Sequence, residues 1–494
     1  MLQRTIKTPG PAFAADRPSQ NTMNAPENLI ENLTYDELHI GQRAQIERTL
    51  TRDDINAFAL VSGDVNPVHM DDEYAEGTRF QGVIAHGMWA GALISSVLGN
   101  DFPGAGTLYV EQSLRFHRAV KVGDTLTVSV TVAGKDDATR HVRMDCEVTN
   151  QDGEQVVSGQ AVVRAPSQKI ARVRSHLPTM HLFDPEARLE RWMESLPVRE
   201  PVRCAVVHPC DEGSLSSALD AADAGLIVPV LIGPAARIRA VAERLGRPLQ
   251  GLELVDTPHS HASATTGAAL AAAGKVGMIM KGSLHTDELM LAVLHEKALR
   301  TGRRMSHVFR FEVPAYPKPL LVSDAAINIA PDLEMKADII RNAVDVARAL
   351  GVAHPKVALL SAVETVTPRL ASTLEAAALC KMADRGQIQH GILDGPLAFD
   401  NAISAEAARV KGIRSPVAGD ADILVVPDLE AGNMLYKNLE YLSGAASCGV
   451  VMGARVPIAL TSRADPPVSR KASSALAGLM ARWLADQAAQ GGGD

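Results

Sequence analysis

The pattern of apolar residues changes near residue 200, and this change restricts the possible folds more than any other feature. Between about residues 43 and 165, a short strand and two helical stretches precede four segments in which apolar and polar residues alternate: Leu108–Val120, Thr125–Ala133, His141–Thr149 and Gln155–Arg164. This alternation is typical of half-buried antiparallel strands. From about residue 200 onward, short apolar runs alternate with alanine-rich helical stretches. That pattern predicts a mainly parallel sheet with helices on both faces.

The length of the chain implies more than one domain. A single core rarely grows beyond about 250–300 residues, and the chain has 494. We predict a flexible extension over residues 1–25, in which Met23 is an alternative start, and an α+β domain over residues 26–165. Residues 166–197 are interpreted as a linker that ends in a short amphipathic helix. Residues 198–490 are predicted to form an α/β domain with two lobes and a cleft between them.

One uncharged stretch raises the question of a membrane span. Phe80–Asn100 contains no Asp, Glu, Lys or Arg and is long enough to cross a bilayer. It also contains several glycines, serines and His86, which favours a helix from about Gly87 to Leu98 that is buried in a domain. A curved antiparallel sheet wrapped round that helix would cover it. The N-terminus has no apolar run of the kind that a signal peptide requires.

The charge balance and the cysteines exclude several classes of protein. Lys and Arg number 49 against 57 Asp and Glu, a net charge of −8. Nucleic-acid binding would call for a basic patch. The five cysteines form no C-x-x-C pair, which favours a reduced, cytoplasmic protein without a zinc ribbon. We expect no metal or redox cofactor and neither a nucleic-acid nor a membrane partner.

The densest polar cluster before residue 165 is the segment from Ser62 to His69, Ser-Gly-Asp-Val-Asn-Pro-Val-His. Its Asn-Pro pair predicts a turn that lets Asp64 and His69 point at one water molecule. A carboxylate and an imidazole on one water can add water to a double bond. The alternative is that Asp64 only caps the turn and His69 is a surface histidine. Gly87 opens the uncharged helix, whose first N–H groups could bind a thioester oxygen.

Together with Ile84-Ala-His-Gly-Met88, this cluster resembles the signature of the MaoC-like, (R)-specific enoyl-CoA hydratases, which have a hot-dog fold: an antiparallel sheet around a central helix. The resemblance covers about residues 30–165. It implies that Asp64 and His69 are the catalytic pair, that Ser62 supports them, that Asn66 belongs to the substrate site, and that the N–H of Gly87 binds the thioester oxygen. A related dehydratase or a non-catalytic acyl-binding domain is the alternative.

The second part of the chain has neither a P-loop nor a G-x-G-x-x-G motif that follows a strand and opens a helix. It has polar clusters at predicted strand ends instead: Lys281–Asp287, Ser306-His307, Ser323–Asn328, Gly432–Lys437 and Thr461–Asp465. An arginine beside a serine, as in Ser462-Arg463, can hold a phosphate through several hydrogen bonds. For that dipeptide alone, a solvated arginine at a strand end is the simpler interpretation.

Taken together, these clusters resemble the phosphate acetyl/butyryltransferase family over about residues 200–490, a two-lobed α/β phosphotransacylase fold. The resemblance implies that Ser462 and Arg463 bind the reacting acyl phosphate. Ser469 stands where related acetyltransferases have a candidate base, an aspartate, so Asp465 becomes the replacement. The remaining substrate-binding residues that we expect are Arg300, Asp324, Asn328, Asn433 and Lys437.

The sequence therefore predicts a bifunctional enzyme that hydrates trans-2-enoyl-CoA and exchanges an acyl group between CoA and phosphate. Its expected partners are acyl-CoA and acyl phosphate substrates, and a homo-oligomer, a dimer or larger, is expected. One alternative is that the second domain is a catalytically idle CoA-binding or scaffolding module. Another is an NAD-dependent decarboxylating dehydrogenase with a similar two-lobed fold.

Overall fold

Residues 29–173, 183–197, 200–460 and 465–491 are described by the structure, which is a computed structural model. The chain divides into two units, Met1–Leu182 and Phe183–Asp494. Within the described ranges, no helix combines the length and the apolar character needed to cross a membrane.

The described part of the first unit contains strands and short helices in this order: β1 (Leu29–Glu31), β2 (Arg43–Thr49), α1 (Arg52–Ser62), α2 (Pro67–Met70), α3 (Asp72–Glu76), α4 (Gly87–Ser96), β3 (Leu108–Phe116), β4 (Thr125–Asp136), β5 (His141–Thr149), β6 (Gln155–Arg164) and β7 (Ala171–Val173). Five strands form an antiparallel sheet in the order β2-β4-β5-β6-β3. The sequence predicted this sheet from the alternation of apolar and polar residues, and β5 shows the corresponding alternation of buried and exposed side chains.

Helix α4 supplies much of the core of the first unit. Trp89 and Ile94 of this helix are buried in one apolar cluster with Val128 and Val130 of β4 and Met144 of β5. Only one face of this uncharged helix is buried, since Met88 is 55% exposed, and the helix is too short to span a bilayer.

The two short strands β1 and β7 pair antiparallel with each other. The side chain of Asn32 holds this pair to the rest of the unit, since its Nδ2 donates to the carbonyls of Ala105 (3.0 Å) and Gln168 (2.9 Å). Its Oδ1 accepts from the N–H of Ile170 (2.8 Å). The first part of the segment that the sequence predicted as a linker is therefore built into the first unit.

The described part of the second unit alternates strands and helices: α5 (Pro185–Glu194), β8 (Val202–Val207), α6 (Glu212–Asp223), β9 (Ile227–Gly233), α7 (Ala235–Leu245), β10 (Glu253–Asp256), α8 (Ser260–Ala272), β11 (Met278–Lys281), α9 (Thr286–His295), β12 (Ser306–Glu312), β13 (Leu320–Ser323), α10 (Leu333–Ala349), β14 (Lys356–Leu360), α11 (Ala371–Asp384), β15 (Ile392–Leu397), α12 (Phe399–Ile403), α13 (Ala405–Val410), β16 (Ile423–Val425), α14 (Leu429–Tyr441), β17 (Ala446–Met452), β18 (Ile458–Ala459) and α15 (Pro467–Gly491). Eleven strands make one sheet in the order β10-β9-β8-β11-β18-β17-β12-β13-β16-β14-β15.

The sheet of the second unit runs in two directions. β8, β9, β10, β11 and β18 are parallel to one another, and β13, β14, β15 and β16 form a second parallel set. The antiparallel pairs β12 with β13, β12 with β17 and β17 with β18 join the two sets and make them point in opposite directions. The expectation of a mainly parallel sheet holds within each set.

Helix α5 is part of the second unit. Leu189 is fully buried in the large apolar cluster on one face of the sheet. Arg188 lies 3.6 Å from the carboxylate of Glu312 on β12, and the guanidinium of Arg310 stacks on the ring of Trp192 at 4.6 Å. The amphipathic helix at the end of the predicted linker therefore packs on the second sheet.

Candidate functional sites

Asp64 lies on the turn between α1 and α2. Gly63 ends α1 in the left-handed conformation (φ 74°), which glycine adopts at little cost. Asn66 begins α2, because its side-chain oxygen accepts a hydrogen bond from the N–H of Val68 (3.2 Å). The carboxylate of Asp64 accepts from the N–H of Asn66 (3.2 Å) and remains exposed. The turn thus presents this carboxylate to solvent from a fixed backbone.

Ser62 supports the same turn from the end of α1. Its hydroxyl donates to the carbonyl of Phe58 (2.6 Å) and accepts from the N–H of Asp64 (3.2 Å). Ser62 and Asn66 therefore both shape the backbone around the carboxylate.

His69 on α2 is buried, and its hydrogen bonds define its tautomer. Nδ1 lies 2.8 Å from the carbonyl oxygen of Ile84. Because a carbonyl can only accept, Nδ1 carries the hydrogen, and Nε2 of the neutral ring keeps its lone pair. His69 can therefore accept a hydrogen bond from a water molecule or another donor.

His86 lies beside both residues and is only 3% exposed. Its Nε2 donates to the backbone carbonyl of Asp64 (2.9 Å), and its ring stacks on that of His69 with centroids 4.0 Å apart. Nδ1 of His86 is buried and has no hydrogen-bond partner among the described residues. The sequence analysis included His86 in the stretch that resembles the MaoC-like signature but gave its side chain no role, so its contacts with Asp64 and His69 are found only in the structure.

A cavity of about 600 Å³ opens at the start of α4. Gly87 is the first residue of this helix, and the first N–H groups of a helix have no acceptor within it. His69, His86 and Gly87 line the cavity together with apolar side chains, among them Phe116 and Val157. The cavity therefore combines an apolar wall with an imidazole and a backbone N–H, near the exposed carboxylate of Asp64.

The same residues have the chemistry of a metal site. One ligand atom each from Asp64, His69 and His86 lies within 4.8 Å of the other two. Two imidazoles and a carboxylate suit a divalent transition metal. The unpartnered Nδ1 of His86 would fit such a group. The expectation of a metal-free protein therefore needs a direct test.

In the second unit, two of the predicted substrate-binding residues, Arg300 and Asn328, lie at the same end of the central strands. Arg300 precedes β12, and its backbone pairs with Ala454 just after β17. Asn328 follows β13 and donates from Nδ2 to the carbonyl of Met305 (2.9 Å). β12 begins where the antiparallel strands β13 and β17 end. Arg300 and Asn328 therefore lie at the same end of these three strands.

Asp324 is buried, and its carboxylate is used inside its own loop. Oδ1 accepts from the N–H groups of Ala326 (3.0 Å) and Ile327 (3.2 Å), and Oδ2 accepts from the N–H of Asn328 (3.0 Å). Burial raises the pKa of Asp324, and the hydrogen bonds of the loop act against that rise. Asp324 is 2% exposed, and its carboxylate shapes the loop that follows it, so its role in substrate binding stays a prediction. The sequence had assigned it substrate binding.

Helix α14 carries two further predicted substrate-binding residues, Asn433 and Lys437. Asn433 donates from Nδ2 to the carbonyl of Ala325 (3.4 Å) near the Asp324 loop. One turn later, Lys437 lies over the ring of Tyr436 at 4.4 Å. Burial and the nearby carboxylate of Asp465 raise the pKa of Tyr436. Asp465 therefore lies near the part of α14 that carries Lys437.

Comparison with known proteins identifies the family of the second unit. The family model "Phosphate acetyl/butaryl transferase" matches residues 260–471. Over 296 residues the chain is 57% identical to the phosphate acetyltransferase of Rhizobium meliloti, a match that covers 60% of this chain and 94% of the relative. The chain belongs to the phosphate acetyl/butyryltransferase family. We call Phe183–Asp494 the transferase unit.

A solved structure agrees with this assignment, and a second family model covers the first unit. A branched-chain phosphotransacylase from Enterococcus faecalis V583 is 31% identical, with a TM-score of 0.50 over 57% of this chain and 99% of that one. The family model "MaoC like domain" matches residues 37–153. The chain is also 44% identical to the R-hydratase PhaJ1 of Pseudomonas aeruginosa, over 31% of this chain and 99% of that one, with a TM-score of 0.31. The transferase unit therefore follows a unit that contains a MaoC-like domain. We call Met1–Leu182 the MaoC-like unit.

Two predicted residues of the transferase unit, Ser462 and Arg463, lie outside the described residues. Ser469, which the resemblance implied stands in place of an aspartate, is buried near the start of α15. Ser473, one turn later, donates to the carbonyl of Ser469 (2.9 Å) and accepts from the N–H of Gly449 on β17 (3.1 Å). The start of α15 is thereby fixed to the centre of the sheet.

The sequence named His307 only as part of a polar cluster, yet its environment is unusual. The side chain is 1% exposed, and neither ring nitrogen has a hydrogen-bond partner among the described residues. It stacks on Phe309 at 4.0 Å and lies over Gly449, where a Cβ would come within 2.5 Å of Nε2. Burial lowers the pKa of His307 to about 3, so the ring is neutral at physiological pH.

Proposed function

We propose that the MaoC-like unit hydrates trans-2-enoyl-CoA to (3R)-3-hydroxyacyl-CoA. The observation that carries this proposal is the approach of the Asp64 carboxylate to His69, whose ring is held with a free lone pair on Nε2. A water molecule can donate one hydrogen bond to each group. The alternative reading of the sequence, in which His69 is a surface histidine, does not fit its burial.

In the proposed reaction, the water oxygen adds to C3 of the enoyl group. Asp64 accepts a proton from that water and returns it to C2, so that the elements of water are added across the double bond. His69 orients the water through Nε2. The N–H of Gly87 binds the thioester oxygen, where negative charge develops as C3 is attacked.

The test of this function is the hydration of crotonyl-CoA by the full chain and by Asp64→Asn. An amide cannot accept the proton, so kcat should fall by about 10²–10⁴. Asp53→Asn is the matched control, because Asp53 is an exposed carboxylate on α1. Near-normal hydration by Asp64→Asn would rule out Asp64 as the base.

For the transferase unit, we infer an exchange of acyl groups between CoA and inorganic phosphate. The CoA thiolate attacks the carbonyl of the acyl phosphate, the new C–S bond forms, and the C–O bond to phosphate breaks. Ser462 and Arg463 hold the phosphate, and Asp465 accepts the thiol proton and passes it to the departing phosphate. The identity to the phosphate acetyltransferase from Rhizobium meliloti over nearly its whole length supports this function.

Arg463→Ala tests the phosphate contact. A lost bidentate contact should reduce the phosphate-dependent release of CoA from acetyl-CoA without affecting hydration by the first unit. Arg463→Lys should recover little, since lysine keeps the charge but not the forked geometry. Arg455→Ala is a control at an exposed arginine of the same unit. Equal losses in Arg463→Ala and Arg455→Ala would contradict the proposed role.

A second candidate function for the transferase unit is CoA binding without turnover. It is favoured by Ser469, which replaces a carboxylate with a buried hydroxyl side chain. If wild-type protein releases no CoA from acetyl-, propionyl- or butyryl-CoA in the presence of phosphate, this second function is the correct one. The expected homo-oligomer is a separate prediction that sedimentation equilibrium of the full chain tests.

A further inference from the structure

His86 connects the separate parts of the first site. Through Nε2 it donates to the backbone carbonyl of Asp64, on the turn that carries the proposed base. Because that carbonyl can only accept, Nε2 carries the hydrogen and Nδ1 of the neutral ring is an acceptor. Nδ1 is buried without a partner.

The ring of His86 also sets the plane of the neighbouring imidazole. It lies between Phe58 and His69, with centroid distances of 5.1 Å and 4.0 Å and interplanar angles of 37° and 33°. The backbone carbonyl of Ile84 fixes one edge of the His69 ring, and His86 covers one of its faces. Together these contacts restrict the direction in which Nε2 of His69 points.

His86 is also connected to Gly87, its neighbour in the main chain. His86 is the N-cap residue of α4, and the next residue, Gly87, carries the N–H that we assign to the thioester oxygen. Any movement of His86 would therefore move that N–H as well. One side chain thus links the turn of the base, the ring that orients the water and the start of the helix.

We propose that His86 is a positioning residue of the hydratase site. Its side chain fixes the positions of Asp64, His69 and the N–H of Gly87 relative to one another. This inference rests on the proposed hydratase function and deepens it. A positioning role should affect the turnover number far more than substrate affinity, because misplacement of reacting groups by about 1 Å can cost roughly 10²-fold in rate.

Two substitutions separate the hydrogen bond from the stacking. His86→Phe keeps a flat ring but removes the donor to Asp64, and kcat for crotonyl-CoA should fall by about 10²-fold with KM changed by less than about threefold. His86→Gln keeps an N–H donor at a similar reach and should recover activity to within about tenfold of wild type. His39→Phe, at an exposed histidine of the same unit, is the control.

The outcomes decide between positioning, general structural support and metal binding. Unfolding temperatures of the variants and their transferase activity report on folding. If His86→Phe keeps a wild-type kcat, or if His86→Gln is no better than His86→Phe, the positioning role is wrong.

If EDTA removes the hydratase activity and Zn²⁺ restores it, Asp64, His69 and His86 hold a metal and the inference is overturned. If wild-type protein fails to hydrate crotonyl-CoA while its transferase is active, the proposed hydratase function fails and this inference fails with it. An active wild-type hydratase whose kcat is insensitive to His86→Phe refutes the inference alone.

Discussion

Replacing Gly87 by proline removes the first N–H of α4 and leaves the helix able to form. Proline is favoured at the first position of a helix, where its missing N–H has no acceptor in the helix. The preceding residue must then be extended, and His86 already is, with φ −58° and ψ 133°. Gly87→Pro therefore deletes the proposed donor to the thioester oxygen with little change to the backbone.

The size of the effect follows from the chemistry of that donor. Removal of one oxyanion donor typically costs about 10²–10³ in kcat, or roughly 2.7–4 kcal/mol. Gly87→Ala is the matched control, because it keeps the N–H. Its Cβ would lie 3.3 Å from Cε1 of Phe116, a contact that a small shift of the ring relieves. We expect the alanine variant to lose less than about tenfold in kcat.

The assay is the hydration of crotonyl-CoA, with kcat compared between the proline and alanine variants. Phosphate-dependent release of CoA by the transferase unit of the same protein serves as an internal measure of intact enzyme. The reasoning is refuted if Gly87→Pro turns over within about threefold of Gly87→Ala, because the N–H would then contribute nothing specific.

The other predictions concern the second catalytic residue, the extent of the first unit and the buried histidine of the second. His69→Ala should lower the kcat of hydration and leave KM for the enoyl-CoA nearly unchanged; a raised KM with normal kcat would indicate binding instead. A fragment of residues 24–182 should unfold at a higher temperature than one of residues 24–168, which lacks β7 and the N–H of Ile170 that Asn32 binds; equal melting temperatures would contradict this. Since burial lowers the pKa of His307 from 6.5 to about 3, the unfolded chain binds a proton that the folded chain does not, and stability falls as the pH drops below about 6.5. Urea unfolding measures this effect as the decrease in the free energy of unfolding between pH 7 and pH 5. That decrease should be smaller in His307→Phe than in wild type by about 2 kcal/mol. Substitution of the exposed His354 should leave the decrease as it is in wild type.

Sequence reasoning succeeded where periodicity and local order carry the information. The alternation in β5 and its neighbours predicted the antiparallel sheet, and the uncharged stretch predicted helix α4, which is buried on one face. Asp64 and His69 were found because they are close in the chain and separated by a turn. The structure brings their side chains together as the pattern suggested.

The remaining features depend on contacts between residues that are distant in the chain. His86 is 22 residues from Asp64, and its role is visible only once its ring reaches that carbonyl. The reversal of strand direction at β12 and β13 has no signal in a pattern of apolar runs, since either direction buries the same side chains. Because of that reversal, Asn328 lies at the same end of the strands as Arg300. This is the end at which β17 finishes.

The loop of residues 324–328 has a thermodynamic consequence for any molecule that contacts it. Fixing the backbone of one residue costs roughly 1–2 kcal/mol of conformational entropy. The carboxylate of Asp324 already binds the backbone N–H groups of three of the four residues that follow it. The entropy cost of ordering the loop is therefore part of folding. A ligand that binds to this loop does not have to order it, which leaves more of the binding free energy for affinity.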